Sequence, residues 1–121
     1  MTTLRLIGYW RSETGPDWPD PKAFVDPTWG SDERDDVASY LHAGTIARLF
    51  MGWSYCRFCG EQNGDLEFSD GVYLWPEGLA HYVTDHQVRL PSEFVEHAVS
   101  CLARLEAADI DRTWWSGQGR D

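Results

Sequence analysis

The sequence predicts a small mixed α+β domain in which a zinc knuckle, a β-hairpin and a helix are flanked by further helices. Three observations carry that expectation. Apolar residues alternate at period two near the N-terminus and in the middle of the chain, and recur at three- and four-residue steps toward the C-terminus. Asp70-Gly71 separates two short alternating runs, a strong hairpin signal because glycine tolerates positive φ. Finally, Cys56-Arg-Phe-Cys59 is followed after 21 residues by His81-Tyr-Val-Thr-Asp-His86. At 121 residues and 42% hydrophobic content, the chain fits one domain over residues 1–121 with enough apolar material for a core.

Thr3 to Trp10 reads as a strand, with Leu4, Leu6, Ile7, Tyr9 and Trp10 loosely alternating. Four of the six prolines then fall between Pro16 and Pro27, so residues 12–30 form a proline-rich loop, excluded from helix and central strand by the missing amide donors. Trp18, Phe24 and Trp29 are embedded in it. Ser31 is the expected N-cap of a helix over about 32–43, with Asp32 to Asp36 at the positive end of its dipole, Val37, Tyr40 and Leu41 buried, and Gly44 as the stop. Thr45 to Tyr55 alternates as a strand, placing Ala47, Leu49, Met51 and Trp53 on one face. The hairpin pairs Leu66–Phe68 with Val72–Trp75. Pro76 suits the first position of a helix running to about Asp85 or His86, because its absent amide hydrogen costs nothing there. Pro91, Ser92 and Glu93 open a last helix to about Ala107, with Phe94, Ala98, Cys101 and Leu105 on one face. The tail frays beyond Trp115.

The charge balance excludes several partners. Twenty acidic against ten basic side chains give −10, and the basic residues are scattered singly, so no face is built to neutralise phosphates; nucleic acid and anionic membranes are excluded as partners. No apolar run approaches the roughly 18 residues of a membrane span. The N-terminus lacks the pattern of a secretory signal, which makes the cytoplasm the expected compartment. Three cysteines are too few for a disulfide scaffold and direct attention to metal chemistry. The densest charge cluster is acidic, Asp32, Glu33, Asp35 and Asp36 with Asp17, Asp20 and Asp26 upstream. It is either a solvated face or an attraction for a basic protein partner.

Two thiols separated by two residues can ligate one metal from a tight knuckle, and Gly60 gives the turn its freedom. Two histidines separated by four residues fall within the usual spacing for the second half of a Cys2His2 zinc site. The metal ligands expected are therefore Cys56, Cys59, His81 and His86, within a module of about 53–87. Five residues are about 500° of ideal helix, which would point His81 and His86 about 140° apart. The helix must therefore loosen near Asp85 or His86 if both are to reach one ion. Four protein ligands would close the tetrahedron and make the Zn²⁺ structural. The alternatives are a redox dithiol, two buried thiols with unrelated histidines, or an open Cys2His site with a water and His86, Glu77 or Asp85 as the acid/base group. An iron-sulfur centre wants four cysteines, and the His-x-Glu and His-Glu-x-x-His patterns of zinc deaminases and zincins are absent.

From Tyr55 to His86 this pattern resembles zinc-finger modules, especially the treble-clef or enlarged Cys2His2 type in which a knuckle is followed by a hairpin and a helix. The resemblance implies ligand roles for the same four residues. The gap is longer than in the DNA-reading ββα fingers and the helix lacks their basic face, so DNA reading is not implied. The phrase Leu74-Trp-Pro-Glu-Gly-Leu-Ala-His81 is similar to that of a small bacterial family of comparable length, whose activity is unassigned. Cys101 is expected in the core, His42 and His97 outside any site, and Trp53 and Trp75 in the core beside the knuckle. Trp18, Trp29, Trp114 and Trp115 either pack loops down or form a recognition surface. Val95, Val99 and Leu102 widen the last helix's apolar face into a possible homodimer seam. The function expected is a protein-interaction or adaptor module of the inhibitor or immunity type, with one structural zinc and a basic partner. The alternative is a zinc-dependent hydrolase with an open site.

Overall fold

A computed structural model describes residues 3–13, 15–49 and 53–119. It has the α+β class expected, with a mixed four-stranded sheet in the order β1-β4-β3-β2. The strands are β1 (Arg5–Leu6), β2 (Thr45–Leu49), β3 (Leu66–Ser69) and β4 (Tyr73–Pro76). The helices among the described residues are α1 (Ser31–His42), α2 (Leu79–His86), α3 (Ser92–Ala107) and α4 (Thr113–Ser116). No helix among these residues is long and apolar enough to cross a membrane.

The β3–β4 hairpin forms where Asp70-Gly71 was expected to turn the chain. Gly71 sits at φ +91°, and the Asp70 Oδ1 atom accepts the amides of Val72 at 2.9 Å and Tyr73 at 2.8 Å. Phe68 lies opposite Trp75 across this antiparallel pair. Strand β1 joins β4 in parallel, Arg5 opposite Tyr73 and Leu6 opposite Leu74. It is much shorter than the expected Thr3–Trp10 because Gly8, at φ +83°, turns the chain out of the sheet. A Cβ at Gly8 would stand 2.6 Å from Leu79 Cδ2. Trp10 then enters the core from the loop side, 8% exposed.

Several expectations are corrected. Strand β2, described over Thr45–Leu49, carries a bulge between Ile46 and Arg48 that breaks the alternation expected there, and Thr45 to Arg48 are all exposed. Ile46 is 59% exposed and Trp53, expected in the core, is 57% exposed; Met51 lies outside the described residues. Pro76 closes β4 instead of opening α2. The amide of Glu77 donates to Leu66 at 2.8 Å, so Pro76, opposite Glu67, falls at the alternate position of the ladder that sends no N–H to β3. Ser31 is the first residue of α1, whose N-cap is Gly30. Gly44 does not cap that helix, which ends through Ala43. Its role is space, because a Cβ there would meet the Trp75 ring at 2.6 Å. The proline-rich loop holds one 3₁₀ turn, Pro21–Phe24, begun by a proline and capped by the Asp20 side chain on the Lys22 amide.

Trp75 lies at the centre of the core, fully buried, its indole N–H donating to the Leu41 carbonyl at 3.1 Å. Val37, Ala38 and Leu41 of α1 pack here with Leu79, Ala80, Tyr82 and Val83 of α2 and Phe94, Val95 and Ala98 of α3. Tyr40 is only partly buried. The apolar stripe of α3 stops being core after Ala98. Cys101 is half-buried and Leu105 is 73% exposed, C-terminal to Phe94 and His97, whose rings pack on Tyr40 and Tyr73. Val95 belongs to the core of its own chain and Val99 is exposed. Trp29 is buried while Trp18 stands 42% exposed, and Trp114 and Trp115 on α4 are exposed. The loop is tied down at its end: Val25 bridges Val88, Asp26 N–H donates to Gln87, and Arg89 N–H donates to Phe24 at 2.8 Å.

Candidate metal centre

The knuckle is built by short-range hydrogen bonding. Cys56 N–H donates to the Glu61 carbonyl at 2.8 Å, Gly60 N–H returns to the Cys56 carbonyl at 3.0 Å, and Tyr55 bridges Gln62. Gly60 takes φ +74°, in the left-handed region that turns the chain after the second thiol. The Phe58 amide points at Cys56 Sγ from 3.4 Å. Arg57 N–H donates to the Tyr82 hydroxyl oxygen at 2.9 Å, docking the knuckle onto α2, and burial pushes the titration of that hydroxyl up.

Helix α2 supplies the histidines. Its last turn is widened as the spacing required: the Gln87 amide reaches five residues back to the Tyr82 carbonyl, and the Val88 amide reaches the same oxygen at 3.1 Å. A five-residue step is the π-type bond, which has more residues per turn than the α-helix. Gln87 then terminates the helix in the left-handed conformation at φ 55°. The result is that the rings of His81 and His86 lie 4.9 Å apart, nearly perpendicular.

One ligand atom from each of Cys56, Cys59, His81 and His86 lies within 4.8 Å of all the others. Cys59 Sγ and His81 Nε2 are 3.3 Å apart. The other nitrogen of His81, Nδ1, faces Asp85 Oδ2 at 3.1 Å, with Glu61 at 4.0 Å. An imidazole held at one nitrogen by a carboxylate presents the other to a metal in a fixed orientation and with raised basicity. His86 stacks on Phe58 at 4.7 Å, and its Nε2 is buried with no hydrogen-bond partner among the described residues. A buried imidazole nitrogen without a partner costs about 1–3 kcal/mol, and coordination to a metal ion removes that cost. The donor set and this orphaned nitrogen fit a metal ion, which would cross-link knuckle and helix.

Of the residues suggested for an open site, Asp85 stands on His81 and His86 belongs to the ligand cluster. Glu77 is turned to the hairpin, where its Oε1 accepts the amides of Asp65 and Leu66 at 3.1 and 3.2 Å.

A second polar cluster has no counterpart in the sequence expectations. Asp70 Oδ2 accepts from the Tyr40 hydroxyl and lies 2.8 Å from His97 Nε2, joining α1, the hairpin turn and α3. Burial opposes the charge on Asp70, but hydrogen bonds from Tyr40, the Tyr73 and Val72 amides and His97 outweigh it and hold the carboxyl below its ordinary value. Burial, together with the Asp70 carboxylate, pushes the Tyr40 hydroxyl far above the usual tyrosine range. Comparisons with protein-family models, curated proteins and solved structures return no match to this chain.

Proposed function

We propose that the chain is a protein-interaction or adaptor module, of the inhibitor or immunity type, organised around one structural zinc in a treble-clef-like site. The convergence of four ligand atoms, two thiol and two imidazole, supports this assignment. Zn²⁺ is the ion this donor set suits, because it accepts mixed sulfur and nitrogen ligands in a tetrahedron without geometric preference of its own. Bound there, it supplies cross-linking and no reactive position, since all four sites are filled by the chain.

The interaction role rests on surface chemistry. Asp32, Asp35 and Asp36 are exposed on α1, and no ion pair among the described residues neutralises them. An acidic face of this kind steers a basic partner, raising the encounter rate more than the affinity. The alternative, a zinc-dependent hydrolase with an open site, draws on an open cleft of about 560 Å³ whose lining includes Glu77, His81 and Asp85.

Zinc analysis of protein purified without chelator tests the first half, with about one equivalent expected; less than about half an equivalent sinks both zinc proposals. Capture of basic proteins from native lysate by wild type and by the triple variant Asp32→Lys, Asp35→Lys, Asp36→Lys tests the second. Retention that survives the charge reversal would remove the acidic face from the proposal. A Cys59→Ser variant that stays folded at wild-type stability favours the open-site alternative.

A further inference from the structure

The apolar stripe of α3 that enters the core through Phe94 and Ala98 continues with Cys101 and Leu105 into two turns that the chain's own core does not cover. Every residue from Ala103 to Gly119 is exposed. Among them Leu105, Ile110, Trp114 and Trp115 are between 66% and 74% exposed, four large apolar side chains along one segment, which marks an interaction surface. This arm is ordered by its own hydrogen bonds. Ala108 N–H donates to the Leu105 carbonyl at 3.3 Å, and Asp111 Oδ1 accepts the amides of Thr113 at 2.8 Å and Trp114 at 3.3 Å, which fixes the start of α4. The Trp114 and Trp115 rings stand 6.2 Å apart on that turn. Two indoles are therefore presented in a fixed arrangement, which lowers the ordering cost of docking against them.

Area and charge together select the occupant. At roughly 200 Å² for a tryptophan side chain and roughly 120 Å² for a leucine or isoleucine, the uncovered parts of these four side chains amount to roughly 450 Å² per copy. Homodimer interfaces are about 65% apolar, so an interface centred on them covers roughly 700 Å² of each copy, close to the roughly 800 Å² per partner of a specific interface. The chain carries a charge of −10, yet from Ala103 to Gly119 only Glu106, Asp109 and Asp111 are acidic, and they stand with Arg104 and Arg112. Two copies can meet on so nearly neutral a segment, because their remaining acidity is largely screened beyond about 8 Å at physiological salt. We propose that the chain forms a two-fold symmetric dimer through this arm, Leu105, Ile110, Trp114 and Trp115 of one copy lying against the same residues of a second. Across such an axis residue i meets j and j meets i, so the alternating charges of the segment can pair as well. The seam expected from Val95, Val99 and Leu102 thereby moves toward the C-terminus, since Val95 packs in its own core. Neither the metal ligands nor the acidic residues of α1 belong to this surface. In dilute solution the copies separate, and truncation at Leu105 then leaves the fold of one copy unchanged.

The test is sedimentation equilibrium of the full-length chain from about 1 to about 200 μM, with reductant present to keep the free thiols from cross-linking copies. The expected mass rises from 13.9 kDa and levels at twice that value, with a dissociation constant of about 100 μM or tighter. The double variant Trp114→Ala, Trp115→Ala should weaken the association about a hundredfold or more, because truncated interface tryptophans are among the costliest losses. Ile110→Asp, which places a charge in the same face, should do likewise. Both variants should keep the wild-type urea midpoint in dilute solution, since none of these side chains belongs to the core. A mass of one chain throughout the range overturns self-association and leaves the arm to a foreign partner. A dimer that both variants preserve overturns the arm as its interface, and a mass that climbs past two chains without levelling overturns the two-fold arrangement.

Discussion

Removing the metal from the proposed centre tests the molecule's organisation most directly. The knuckle runs from Ser54 to Gly64, eleven residues in which only Cys56 is fully buried and Phe58 partly so. Ordering that segment costs about 1 kcal/mol per residue at the low end of the range. Burial of Cys56 and Phe58 contributes about 3–5 kcal/mol. Hydrogen bonds at Ser54, Cys56, Arg57, Gly60 and Asn63 contribute about 1 kcal/mol each. These quantities cancel to within a few kcal/mol, so the knuckle's order without metal is marginal, whereas a structural zinc contributes about 10–16 kcal/mol in isolated finger peptides. The perturbation is chelation to zero metal at neutral pH, and the assay is amide hydrogen exchange. Protection at Cys56 and Gly60 should collapse by about a hundredfold or more, the equivalent of about 3 kcal/mol. Amides of Leu41 and Val83 in the core should retain most of theirs, since their packing does not involve the ion. Unchanged exchange at Cys56 and Gly60 after verified metal loss would refute the reasoning.

Three further outcomes are expected. Asp85→Asn should lower metal affinity roughly 10–100-fold by releasing His81 Nδ1; an unchanged value in competition with a colorimetric chelator would deny Asp85 its orienting role. Asp70→Asn should cost about 1–3 kcal/mol at neutral pH. Because the folded-state carboxyl titrates below the ordinary 3.8, its contribution is fully present above that value and is lost as pH falls through the depressed one. The gap between urea midpoints of wild type and variant should therefore narrow at acid pH, and a constant gap would count against the linkage. Leu105→Ala, at a 73% exposed position, should change stability by less than about 0.5 kcal/mol, whereas Phe94→Ala should cost about 3–5 kcal/mol; comparable losses in thermal melts would contradict the observed end of the core.

Local chemistry made much of this molecule legible. The Asp70-Gly71 turn, the α1 and α3 helices and the Cys56, Cys59, His81, His86 spacing all act over a few residues, and the requirement that α2 loosen near its end followed from rotation alone. The failures are non-local. The bulge in β2 depends on pairing with β3, and the exposure of Leu105 depends on which neighbours the second half of α3 finds; neither is written in helical or strand periodicity. Trp53 and Trp75 look alike in sequence and differ because only the latter faces α1 across the space left by Gly44. The Asp70, His97 and Tyr40 cluster joins positions 27 and 57 residues apart and had no local signal. Asp85 had one, the four-residue step to His81 on a single helix face, which could have identified it as the orienting carboxylate.

The pairing of Phe24–Asp26 with Gln87–Arg89 closes a long loop of the chain. Its ion pair, Arg89 with Asp26 at 2.9 Å, spans 63 residues, while the β3–β4 turn closes within a handful. Contacts that close long loops are entropically late and those that close short ones are early. The hairpin therefore closes at a lower entropic cost than the docking of the proline-rich segment, and the β1–β4 pairing, 68 residues apart, closes a longer loop than either. The proline-rich segment docks on the residues immediately following His86, so the backbone just beyond the second histidine of the ligand cluster is tied to a distant part of the chain as well as to its own helix.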